Sequence, residues 1–174
     1  MDHIKSKIRT IPNFPKQGIM FRDVTTLFKD PQGFQDVINA FKERYKSQKI
    51  DVVCGIEARG FIIGGALAKE LNVGFVPLRK KGKLPHKVHR IEYNLEYGKD
   101  VLEIHEDAIT SGDNVLIVDD LIATGGTAKA ACDLIEKIGG KVVECAFIVD
   151  LPALKGKEKL AKWHVFSILG FKGE

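Results

Sequence analysis

Strand-length apolar runs alternate along this chain with segments of helical periodicity, and few architectures accommodate that order. The runs fall at residues 51–56, 73–79, 114–119, 142–149 and 164–169, and helical spacing governs 60–71 and 126–138. Near-continuous apolar strands are buried on both faces, so the pattern predicts an α/β domain with a central, mainly parallel sheet flanked by helices. Asp30 and Pro31 supply an N-cap and a first-turn proline. Phe34, Val37, Ile38 and Phe41 follow at helical spacing, which predicts an amphipathic helix over 31–48. Gly139-Gly140 is placed to cap the last helix in a left-handed conformation. Alternating runs on either side of Gly98-Lys99 predict an antiparallel hairpin over 91–105. Pro12 and Pro15 interrupt a short helical N-terminus and leave residues 14–23 as an irregular arm. No repeat or linker divides the 174 residues, so 1–174 reads as a single domain.

The chemistry concentrates in Val115-Leu116-Ile117-Val118-Asp119-Asp120-Leu121-Ile122-Ala123-Thr124-Gly125-Gly126-Thr127, a buried strand, two carboxylates, a small-residue turn and a helix start. Backbone N–H groups of such a turn converge at a helix N-terminus, where the helix dipole favours an anion. Gly125 and Gly126 permit close approach, and the Thr124 and Thr127 hydroxyls add donors. Asp119 and Asp120 precede them at the carboxyl end of the strand, where open α/β sheets bind ligands, and can accept from sugar hydroxyls. A ribose 5-phosphate fits both halves. The string is not a P-loop, and no glycine fingerprint for a dinucleotide follows a strand. A structural strand-turn-helix with a solvated Asp pair is the alternative.

Net charge is +4, with basic residues gathered mainly in Arg79-Lys80-Lys81-Gly82-Lys83 and the stretch through His86, Lys87, His89 and Arg90. A nucleic-acid-binding protein usually shows a broader basic face, and a local cationic loop suits a small polyanion equally well, so charge alone does not choose. Cys54, Cys132 and Cys145 lack metal-ligand spacing and read as reduced core residues; His86 and His89 read as solvent-facing, and no metal site is expected. Residues 1–9 are charged and amphipathic, and no run approaches the roughly 18 apolar residues of a membrane span, so the expected location is cytoplasmic.

The 115–127 string resembles the phosphoribosylpyrophosphate signature of the type I phosphoribosyltransferases. Ile19-Met20-Phe21-Arg22-Asp23, Gly55-Ile56-Glu57-Ala58-Arg59-Gly60-Phe61, Arg79-Lys80-Lys81-Gly82-Lys83-Leu84-Pro85, Leu95-Glu96-Tyr97-Gly98 and residues 151–160 resemble the adenine branch of that family, in its order. The resemblance implies a fold with a small N-terminal hood and a flexible hairpin flap. It implies transfer of phosphoribosyl from phosphoribosylpyrophosphate to adenine, yielding AMP and pyrophosphate in purine salvage, with substrate-bound Mg2+ and a homodimer. It also implies 5'-phosphate contacts from Ala123, Thr124, Gly125, Gly126 and Thr127, and ribose contacts from Asp119 and Asp120. Pyrophosphate falls to Arg59, Arg79 and Lys83, and Glu57-Ala58 is the candidate for a non-proline cis peptide. Adenine is assigned to Met20, Phe21, Arg22 and Leu151, and Glu96 to proton transfer at N7. Asp150 stands where the family carries a glutamate. Two rivals remain at this point: another purine as acceptor, or a catalytically silent regulator that senses phosphoribosylpyrophosphate and binds nucleic acid.

Overall fold

The protein is described by a computed structural model over residues 1–94 and 98–172. Helix α1 (Asp2–Lys5) leads into β1 (Arg9–Pro12) and β2 (Met20–Asp23), which pair antiparallel with Arg9 opposite Asp23 and Pro12 opposite Met20. The expected irregular arm is therefore in part a strand of a two-stranded hood. Pro12 sits at the end of its strand, where a missing N–H costs little. The connecting turn is closed by Asn13, at φ 59, whose side chain accepts from the Gly18 N–H at 2.9 Å.

Two helices follow, α2 (Thr25–Lys29) and α3 (Pro31–Tyr45). The Asp30 carboxylate accepts from the Gly33 N–H at 2.6 Å, capping α3 as its sequence predicts. Val37, Ile38, Phe41 and Tyr45 are its buried stripe. The helix ends three residues before the predicted 48, because Lys46, Ser47 and Gln48 offer nothing apolar to bury.

The main sheet is built from β3 (Val52–Ile56), β4 (Gly74–Lys80), β5 (Val88–Asn94), β6 (Lys99–His105), β7 (Asn114–Ile122), β8 (Lys141–Asp150) and β9 (Val165–Gly170), with helices α4 (Arg59–Leu71) and α5 (Gly126–Lys137) in the crossovers. Its order is β5-β6-β4-β3-β7-β8-β9. The β4-β3-β7-β8-β9 portion is parallel, and the β5–β6 hairpin adds antiparallel beside β4, as predicted. Every residue of β3 is buried, which is why its sequence does not alternate. One apolar layer joins α1, α3 and α4 to the sheet and the other joins α5 and the hairpin to its opposite face. All three cysteines are buried and unbridged.

Connectivity fixes where a ligand can sit. From β3 the chain crosses through α4 to β4, and from the neighbouring β7 it crosses through α5 to β8, on the opposite face and in the opposite direction along the sheet. Between the carboxyl ends of β3 and β7 the two crossovers diverge and leave a crevice, the switch point at which open α/β sheets bind ligands.

Candidate active site

A cavity of about 260 Å³ opens at that switch point. Its floor is the turn over residues 123–127, and its walls include Glu57, Lys80, Tyr93, Asp100 and Asp119. Gly125 adopts φ 76 and is the N-cap of α5, so the turn and the helix N-terminus point into the cavity as one unit. The five residues assigned to phosphate from sequence are thus together.

The adjacent carboxylates are separated by the pleat. Asp119 lines the cavity, whereas Asp120 is buried and receives a charge-assisted bond from Arg59 Nε at 2.5 Å. Burial raises the Asp119 pKa well above the usual carboxylate range, and the neighbouring Asp120 carboxylate raises it further. Arg59 is held by the opposite balance: burial alone lowers its pKa, but the attraction of Asp120 outweighs this and raises it. Gly60 brings the start of α4 against β7, since a β-carbon there would lie 2.7 Å from the Val118 carbonyl oxygen.

Glu57 and Ala58 are joined by a cis peptide, as the resemblance implied. The Glu57 carboxylate accepts the Lys80 N–H at 2.9 Å and faces the Arg79 guanidinium at 3.3 Å. Burial pushes its pKa up, but the Lys80 and Arg79 donors outweigh burial and hold it below the ordinary value. Arg79 also donates to the Lys83 carbonyl at 3.2 Å, tying the two predicted pyrophosphate residues to one turn at the end of β4. His86 in the following loop is exposed, as expected, while His89 is half-buried within β5.

Among the polar residues that line the cavity, Lys80, Tyr93 and Asp100 were given no role from sequence. Tyr93 and Asp100 are cross-strand partners in the hairpin, and Lys80 pairs with Asp100 at 3.2 Å. The Tyr93 hydroxyl lies 3.4 Å from both Asp100 and the Thr127 hydroxyl, so the hairpin reaches the 123–127 turn itself. Lys80 could have been found beside Arg79; Tyr93 and Asp100 required the hairpin register.

Met20, Phe21 and Arg22 lie half-buried on β2 in the hood. Arg22 donates to the Thr10 hydroxyl at 2.6 Å and stacks over Phe171, its guanidinium carbon 4.4 Å from the ring centre. Leu151 is buried just beyond β8, its N–H bonded to the Ile122 carbonyl at 3.1 Å. Asp150, the residue that departs from the family pattern, pairs with Lys157 at 2.8 Å. Glu96 lies outside the described residues.

Comparison with known proteins agrees with this geometry. A family model described as a phosphoribosyl transferase domain matches residues 23–173. The adenine phosphoribosyltransferase of Desulfosudis oleivorans is 57% identical over 171 residues, covering 98% of this chain and 99% of the relative. The crystal structure of the adenine phosphoribosyltransferase of Thermoanaerobacter pseudethanolicus superimposes with a TM-score of 0.95 at 46% identity, covering 98% of this chain and 99% of that one. The Saccharomyces cerevisiae enzyme, solved with an imino-altritol bisphosphate and adenine, gives a TM-score of 0.92 at 45% identity over 97% of each chain. A Thr/Gly turn at the switch point, a hood, a hairpin beside the cleft and near full-length identity above one half converge: the chain belongs to the phosphoribosyltransferase family, among the adenine phosphoribosyltransferases.

Proposed function

We propose that the cavity binds phosphoribosylpyrophosphate and that the chain transfers its phosphoribosyl group to adenine, releasing pyrophosphate and forming AMP in purine salvage. The observation that carries this reading is the Thr/Gly turn at the N-terminus of α5, opening into the switch-point cavity with Asp119 on its wall. The turn receives the 5'-phosphate through backbone N–H groups of residues 123–127 and the hydroxyls of Thr124 and Thr127. Asp119 accepts from the ribose hydroxyls. Asp120, across the pleat from Asp119, holds Arg59 in place beside the site. Arg59, Arg79 and Lys83 receive the pyrophosphate as the C1–O bond lengthens and positive charge gathers on the ribose ring; donors already in place stabilise the departing oxygens.

Adenine enters under the hood, between Met20, Phe21, Arg22 and Leu151, and its N9 forms the new bond to C1. Backbone groups read its 6-amino pattern, because a 6-oxopurine would leave buried donors and acceptors unpaired. Glu96 takes the N7 proton as the bond forms. Magnesium, held by pyrophosphate oxygens and water, would screen the leaving group's charge. Among the described residues no group of three or more His, Cys, Asp or Glu side chains is placed to hold a metal ion.

We further propose a homodimer in the cytoplasm. Ile62 on the outer face of α4 is half exposed and offers apolar surface to a partner; a light-scattering mass equal to one chain is the contrary result. No helix among the described residues is long and apolar enough to cross a membrane. The reaction is tested by incubating the protein with magnesium, phosphoribosylpyrophosphate and adenine, hypoxanthine, guanine or xanthine in turn. AMP from adenine with little nucleotide from the others is expected. Faster turnover of a 6-oxopurine, or none of any purine, overturns the assignment.

A further inference from the structure

Residues 151–160 have no role so far beyond Leu151, yet part of this segment packs directly behind the phosphate turn. It forms two short 3-10 turns, Pro152–Leu154 and Gly156–Leu160. A β-carbon on Gly156 would lie 2.2 Å from the Ala123 carbonyl oxygen and 3.0 Å from the Gly125 nitrogen. The converse clash is as severe, because a β-carbon on Gly125 would lie 2.3 Å from the Gly156 carbonyl oxygen. Backbone meets backbone, so no side-chain rotation can relieve either contact.

Neither partner is free to retreat. Gly125 is fixed at φ 76 as the N-cap of α5, whose body is buried against the sheet. Gly156 is itself buried, and the fully buried Leu160, in the same apolar layer as α5, anchors the end of its turn. We infer that Gly156 is a positioning residue for phosphate recognition: its bare backbone is the wall against which the 123–127 turn takes its shape. A side chain there drives the turn forward and misaims N–H groups that must converge on one phosphate. Displacements of about 1 Å can cost about a hundredfold in such sites. The inference rests on the reading that the turn holds the 5'-phosphate.

Three variants, Gly156→Ala, Leu160→Ala and Thr127→Ala, test it through the KM for each substrate, kcat, and the calorimetric affinity for ribose 5-phosphate. Gly156→Ala is expected to raise the KM for phosphoribosylpyrophosphate about tenfold or more and weaken ribose 5-phosphate in parallel, with the adenine KM within about twofold of wild type. A merely structural glycine would lower the melting temperature without that split. Leu160→Ala keeps both glycines and adds no clash but releases the anchor; the same selective shift is expected at about threefold, and it decides the matter if Gly156→Ala does not fold. Thr127→Ala reports on the turn alone. A selective rise there with none in Gly156→Ala, or in Leu160→Ala where it stands in, overturns the positioning role only. No rise in any variant overturns both that role and the phosphate reading beneath it.

Discussion

Asp23 shows how the hood is tied down, one hydrogen bond at a time. The Thr25 hydroxyl and then the Arg9 guanidinium donate to its buried carboxylate and lower its pKa to about 2. A carboxylate depressed in the folded state stabilises above its unfolded pKa near 3.8, and that contribution fades as pH falls through about 2. Asp23→Asn is therefore expected to be less stable at pH 7 by between about 1 and 2 kcal/mol, since Arg9 is partly solvated, with the difference from wild type vanishing near pH 2 in denaturant titrations. A constant difference across that range would contradict the linkage. Asp119 is shifted the other way, and the acid limb of kcat/KM for phosphoribosylpyrophosphate is expected above the ordinary carboxylate range. In Asp119→Asn that limb is expected to move down; an unmoved limb rules out ionised Asp119 as the sugar's acceptor. Glu96→Gln should lower kcat about 100- to 10,000-fold with the substrate KM values little changed, and an unimpaired variant removes the proton-transfer role. The pairings of Asp120 with Arg59 and of Glu57 with Arg79 were not legible in the sequence. Each joins ends of different strands or crossovers, and only the sheet order makes them neighbours.

Among the elements, those that bury a continuous or periodic apolar face were legible. The strands β3, β4, β7, β8 and β9 and the helices α3, α4 and α5 lie where their patterns put them, and their ends drift by one to three residues. β7 runs on to Ile122 because Leu121 and Ile122 still pair with Val149 and Asp150 of β8, although two acidic residues interrupt its apolar run. The resemblance implied a hood, but its β1–β2 pairing was hidden because four-residue strands carry little periodicity, and the pairing is set by turn chemistry at Asn13 and Gly18. Caps are the element-scale contributions most open to measurement. Asp30 both caps α3 and pairs with Lys7 at 2.7 Å, so Asp30→Ala is expected to cost about 1 kcal/mol by denaturant titration, with kcat unchanged. A loss below a few tenths would show that α3 is held by its apolar face alone.

Across the whole molecule, the end of the sheet away from the cavity is closed by a polar cluster. Glu144 of β8 accepts two bonds from Arg44, at 2.6 and 2.7 Å, and one from the Tyr45 hydroxyl at 2.7 Å. Burial pushes the Glu144 pKa up, but these donors prevail and hold it below the ordinary value. Glu144→Ala should cost about 3 kcal/mol by leaving a guanidinium and a phenol with their partner gone, while the KM values of the folded protein stay near wild type. Stability at one end and chemistry at the other follow from the same connectivity, since parallel strands send every crossover loop of the site to their carboxyl ends. A crystal structure with AMP bound tests whether the 123–127 turn, in the cavity between β3 and β7, holds the phosphate. The phosphate should lie within hydrogen-bonding distance of the backbone N–H groups of residues 123–127, with Asp119 against the ribose; a phosphate seated elsewhere, with the turn empty, would contradict it.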